Sequence, residues 1–165
     1  MPQGQKIGLL YVLGRVLTFS EKDIPSHALT KGWAKAEGGS RWTDGICAEM
    51  KLHVLTSQLT HMQLSLSALP FLVRDKLPTQ FVQLFGNGRL LNTTVLSKPS
   101  FENMACEIEP EYWFERNGYA HIILTWVIPN CRPANSLTDV SDVRQLGICF
   151  SSFCISPLRS ELSVA

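Results

Sequence analysis

The 165-residue sequence predicts an all-β fold, an antiparallel jelly-roll-like β-sandwich of about eight or nine strands with little helix. Three observations carry this prediction. Apolar and polar residues alternate with a period of two through several separate runs. The dipeptide Asn87-Gly88 sits between two such runs, where both residues tolerate the positive φ of a tight hairpin turn. Hardly any stretch sustains a period of 3.6 beyond ten residues.

Taken in order, the apolar run Ile7 to Leu17 is expected to be a strand, because Arg15 interrupts it and it is too short for a transmembrane helix. Ile46 to Leu55 is the clearest strand. Ile46, Ala48, Met50, Leu52 and Val54 point one way, and Cys47, Glu49, Lys51 and His53 the other. Met62 to Leu69 repeats the pattern with Met62, Leu64, Leu66 and Ala68 inward, ending at Pro70. Thr79 to Phe85 enters the Asn87-Gly88 turn and Arg89 to Val95 returns from it. Phe101 to Glu107 follows. Tyr119 to Ile128 is rich in β-branched and aromatic residues, which suits a central strand stopped by Pro129. Leu146 to Ile155 is the last strand, with a flexible tail expected from about residue 157. Helical turns are expected near Pro110 to Arg116 and Asp139 to Gln145. No repeat or linker divides the chain, so residues 1–165 read as one domain.

Composition narrows the function classes. Charged residues make up 18% of the chain and hydrophobic residues 45%, which favours a compact globule over disorder. A formal charge of +1 without a basic stripe argues against nucleic acid as a partner. Five cysteines, Cys47, Cys106, Cys131, Cys149 and Cys154, form no CxxC and no disulfide framework. They read as reduced, mostly buried thiols and point to a cytoplasmic setting. No metal and no cofactor is expected, since neither a ligand pattern nor a phosphate loop is present. Cys47 and His53 face the same way on one strand about 20 Å apart, too far for a nucleophile and its base. The remaining histidines, His27, His61 and His121, are scattered along the chain. Glu107, Glu109 and Glu111 are expected to form a solvated, aggregation-deterring edge rather than an acid/base pair.

The segment Gly32 to Gly45 is the most distinctive, because Trp33 and Trp42 bracket Glu37, Arg41 and several glycines, with Asp44 following. Indole rings cover the apolar face of a pyranose while Glu, Asp and Arg take its hydroxyls. The same tryptophans could instead close the end of a β-core. Asp142 and Arg144 are expected to cap a turn and pair at the sandwich edge, or to place Arg144 beside Glu37 in a polar cleft. These motifs, with Phe85 to Gly88 and Asp142 to Ile148, resemble the β-sandwich accessory domains found beside bacterial glycosyltransferases and other cell-surface polysaccharide enzymes. The resemblance implies a non-catalytic, carbohydrate-binding or carbohydrate-associated module of bacterial origin. Its partner would be a glycan or a glycan-processing protein, and its contacts Trp33, Glu37, Arg41, Trp42, Asp44 and Arg144. The alternative is a protein-interaction or adaptor domain, host-directed in one version, that uses a sheet edge or the Tyr112-Trp113-Phe114 patch.

Overall fold

The computed structural model describes residues 8–158. Two sheets face each other across one core. The first contains β1 (Leu9–Leu10), β3 (Leu29–Lys31), β5 (Cys47–Leu55), β7 (Gln80–Gly86), β8 (Arg89–Leu96), β10 (Phe114–Arg116) and β11 (Tyr119–Val127). The second contains β2 (Leu17–Thr18), β4 (Arg41–Asp44), β6 (Met62–Pro70), β9 (Glu102–Ile108), β12 (Arg132–Pro133) and β13 (Gln145–Pro157). The chain crosses between sheets from β5 to β6, β6 to β7, β8 to β9, β9 to β10 and β11 to β12, which builds the jelly-roll-like sandwich.

The alternating runs form as their periodicity demands. Ala48, Met50, Leu52 and Val54 of β5 are buried, as are Met62, Leu64, Leu66 and Ala68 of β6. Strand β11 lies between β5 and β7, with Ala120, Ile122, Leu124 and Trp126 in the core. Asn87 and Gly88 both take positive φ, 47° and 80°, as the two-residue hairpin between β7 and β8 requires. The Asn87 side chain also accepts from the Ile123 N–H at 2.9 Å and donates to the Tyr112 and His121 carbonyls. It therefore ties the turn to β11. In β13 a register shift between Phe150 and Ser152 lets Phe150 and Phe153, three residues apart, both enter the core.

Several expectations are corrected. The Ile7 to Leu17 run is not one strand: only Leu9–Leu10 and Leu17–Thr18 pair, with Gly14 at φ 83° turning the chain between them, and Ile7 lies outside the described residues. Ile46 precedes β5 and is exposed. The described residues contain thirteen strands, more than eight or nine, because short segments such as β2, β3, β4, β10 and β12 add to the sheet edges. One pairing, β1 with β5, is parallel. The α-helix is α1 (Ala134–Leu137), upstream of the turn expected at Asp139 to Gln145. The turn expected near Pro110 forms over Pro110–Tyr112 and gives way to β10. β13 extends to Pro157, and the rest of the expected tail from Arg159 onward lies outside the described residues.

Candidate functional site

Trp33 and Trp42 lie on the two legs of one small hairpin. Its register follows from the bridges Trp33 with Thr43 and Glu37 with Ser40, around a turn in which Gly38 has φ 63°. Parity then separates the candidate residues. Arg41 and Thr43 point inward from β4, and Ser40, Trp42 and Asp44 point outward, with Glu37 opposite Ser40. Trp33 shares the inward side with its partner Thr43.

Trp33 is consequently part of the core's aromatic end. Its ring stacks on Phe19 at 5.6 Å, meets Trp126 edge to face at 5.6 Å, and lies 5.9 Å from Phe150. Its Nε1–H donates to the Glu49 carbonyl at 2.9 Å. Arg41 is 4% exposed; its Nε–H donates to the Phe19 carbonyl at 3.3 Å, and its Nη2 has no partner among the described residues. Burial pulls the guanidinium below its ordinary range, against a partly restoring pull from Glu21. Inward parity keeps Arg41 off the outer surface shared by Glu37, Trp42 and Asp44.

Trp42 stands on the outer face of the second sheet, opposite Cys149 of β13, half-buried and edge to face with Phe71 at 6.2 Å. Glu37 and Arg144 reach the same surface. Arg144 Nη1 donates to Glu37 Oε1 at 2.8 Å, while its Nε and Nη2 donate to Asp142 at 3.0 and 2.6 Å. Asp142 also accepts from the Arg144 backbone N–H at 3.0 Å, so the capped turn and the cleft pair occur together. The two carboxylates hold Arg144 above its ordinary range, and Arg144 holds Asp142 below the usual carboxylate range. Burial pushes the Cys149 thiol up, against opposed pulls from Ser40, Glu37 and Arg144. Asp44 Oδ1 accepts from the Gln145 N–H at 2.8 Å, which ties the start of β13 to the end of β4.

The arrangement is a half-buried indole on the outer face, with a carboxylate from the same hairpin held by a guanidinium. With three of its nitrogens engaged, Arg144 acts as the positioning group for Glu37. Glu37 Oε2 and Asp44 Oδ2 make no hydrogen bond among the described residues and are available as acceptors.

The Tyr112-Trp113-Phe114 sequence does not form one surface. Trp113 is 6% exposed within the core, Tyr112 is half-buried under Arg89 at 5.1 Å, and Phe114 is 63% exposed. Of the acidic trio, Glu107 is on the edge strand β9 and reaches His61 at 3.1 Å, whereas Glu109 and Glu111 lie beyond it. The histidines are less scattered than their sequence positions suggest. His53 and His121 are cross-strand partners with rings 5.3 Å apart, beside Tyr119. His121, His27, Lys51 and Arg116 line an open pocket of about 620 Å³ on the outer face of the first sheet. Strand parity puts Lys51 and His53 on one face, but the pairing with β11 and the approach of residues 26–30 are tertiary facts.

No protein-family model and no curated protein matches the chain. Solved structures similar to it include CsCBM6-3 from Clostridium stercorarium in complex with cellobiose, at 11% identity and TM-score 0.46, covering 92% of this chain and 98% of that one. The CBM22-1 xylan-binding domain of Paenibacillus barcinonensis Xyn10C gives 11% identity and TM-score 0.45 with the same coverages. A family 35 carbohydrate-binding module from an environmental isolate gives 9% and 0.38, covering 93% of each chain. With these TM-scores below 0.5, the sandwich assignment rests on this chain's own sheets, and the site rests on its own side chains.

Proposed function

We propose that this chain is a non-catalytic carbohydrate-binding module, of the kind that stands beside bacterial polysaccharide enzymes, and that it meets its glycan on the outer face around Trp42. The observation that carries the reading is the different engagement of two half-buried tryptophans: Trp33 packs against three core aromatic rings and donates its Nε1–H to the Glu49 carbonyl, while Trp42, on the outward side of β4 with Asp44, has the single aromatic partner Phe71. An indole ring supplies the apolar contact that a pyranose C–H face needs, and the Glu37 and Asp44 carboxylates accept from vicinal hydroxyls. Arg144 fixes the Glu37 rotamer, which lowers the ordering cost on binding. The contact set is therefore Trp42, Glu37 and Asp44, positioned by Arg144, with Trp33 and Arg41 serving the fold. Reduced, unpaired cysteines accord with a cytoplasmic setting.

The test is a glycan-array screen of the purified domain followed by titration of the best neutral oligosaccharide with tryptophan fluorescence as the readout. Trp42→Ala should abolish binding while the far-ultraviolet circular dichroism stays that of the parent. A well-folded domain silent across the array, or a Trp42→Ala variant that binds as the parent does, refutes the reading and moves the function to a protein partner.

A further inference from the structure

The pocket on the outer face of the first sheet has the chemistry of a second site. Two cross-strand pairs contribute to its floor, Phe114 opposite His121 and Ile123 opposite Lys51, and Arg116 of β10 lines it as well. One wall is the segment 26–30, closed onto β5 where the Lys51 N–H donates to the Ala28 carbonyl at 2.8 Å. Lys51 and Arg116 are exposed and enter no ion pair among the described residues. Among the described residues, no carboxylate lines the pocket. Glu49 comes to its edge, accepting from the Thr30 hydroxyl at 3.4 Å, and Glu115 has the opposite parity on β10 from Phe114 and Arg116. Lys51 and Arg116, on the strands either side of β11, give this concavity two cations and a positive potential.

We propose that this pocket is a second saccharide site, selective for a saccharide that carries carboxylates, with acid groups at Lys51 and Arg116 and a ring against Phe114. Charge complementarity names the acid group. The exposed Phe114 ring names the sugar, because it offers an apolar face outside the core, and the Ser26 and Thr30 hydroxyls complement ring hydroxyls. A small inorganic anion would use the cations and leave Phe114 and the hydroxyls unengaged. A neutral sugar would do the reverse. The volume of about 620 Å³ lies within the size range of small-ligand sites. This site shares no residue with the Trp42 surface, and either reading can fail without the other.

The experiment is calorimetric titration of the full chain with an oligogalacturonide, its methyl-esterified counterpart and inorganic phosphate. The expected result is saturable binding of the oligogalacturonide that weakens with added salt and falls about tenfold on esterification, the loss of one charge-assisted contact. Lys51→Gln, Arg116→Gln and Phe114→Ala should each weaken it, the first two by about tenfold. Lys98→Gln, on a loop outside the pocket, should not. Both charge variants are at exposed positions, and circular dichroism verifies their fold. Absence of saturable oligogalacturonide binding overturns the proposal, as does equal affinity for the ester. Phosphate that binds as tightly and displaces the oligosaccharide also overturns it, by reducing the pocket to an anion site. Neutral-sugar binding at Trp42 is scored separately.

Discussion

Replacing Trp33 by alanine tests the claim on which the candidate site depends, that one tryptophan belongs to the core and the other to the surface. Large aromatic residues truncated to alanine in cores cost about 3–5 kcal/mol. Trp33 is only half-buried, but it engages three aromatic neighbours and its Nε1–H satisfies the Glu49 carbonyl at 2.9 Å. Each aromatic pair contributes about 0.5–1.5 kcal/mol beyond its area, and the hydrogen bond about 1 kcal/mol. A loss of about 3 kcal/mol follows, which in a chain of this size lowers Tm by about 6–12 °C. Trp33→Phe retains a ring to stack on Phe19 but removes the donor, so its loss should be about half as large. Trp42, with the single aromatic partner Phe71, should cost about 1 kcal/mol on truncation. Thermal melts by circular dichroism and urea unfolding measure all three variants. A Trp33→Ala variant melting within about 2 °C of the parent would refute the core assignment, and with it the restriction of the glycan surface to Trp42.

Three further outcomes are expected. Gly32→Ala should leave the chain largely unfolded in expression and circular dichroism tests, because φ is 77° there and a Cβ would lie 1.8 Å from the Cys47 carbonyl oxygen. Arg41→Met should be neutral or stabilising by about 1 kcal/mol in urea unfolding, since a buried guanidinium with an unpartnered Nη2 gives way to an apolar chain of similar length. A clear destabilisation would show that Arg41 makes more of its Phe19 contact than its geometry indicates. Burial and the neighbouring His121 hold the His53 imidazole below its ordinary 6.5, so the folded state disfavours its charged form. Its contribution is fully present above pH 6.5 and is lost as pH falls through the depressed folded-state value. Tm should therefore decline on acidification in that window, and His53→Phe, which keeps a ring against Tyr119, should flatten the decline.

The sequence by itself determined the sandwich. Alternation in residues 47–55 and 62–70 assigns each side chain to a face, because a strand's period of two leaves no freedom once one face is apolar, although it misplaced Ile46, which is exposed, and did not foresee the burial of His53 on the outward parity. Asn87-Gly88 set its hairpin for the equally local reason that both positions need positive φ. One contact was legible too: Arg144 does meet Glu37, although the two are 107 positions apart in the chain. What no local rule could supply was parity across the small hairpin, which sends Trp33 and Arg41 inward and Trp42 outward. A strand of four residues that turns polar Arg41 and Thr43 inward and Trp42 outward runs against the apolar-inward pattern that would reveal it. The basic pocket was equally hidden. His27, Lys51, Arg116 and His121 come from four segments, and only the β5–β11 register and the packing of residues 26–30 against β5 bring them together. Tertiary structure decided the sites because their residues share no period, only a place where strands distant in sequence pair.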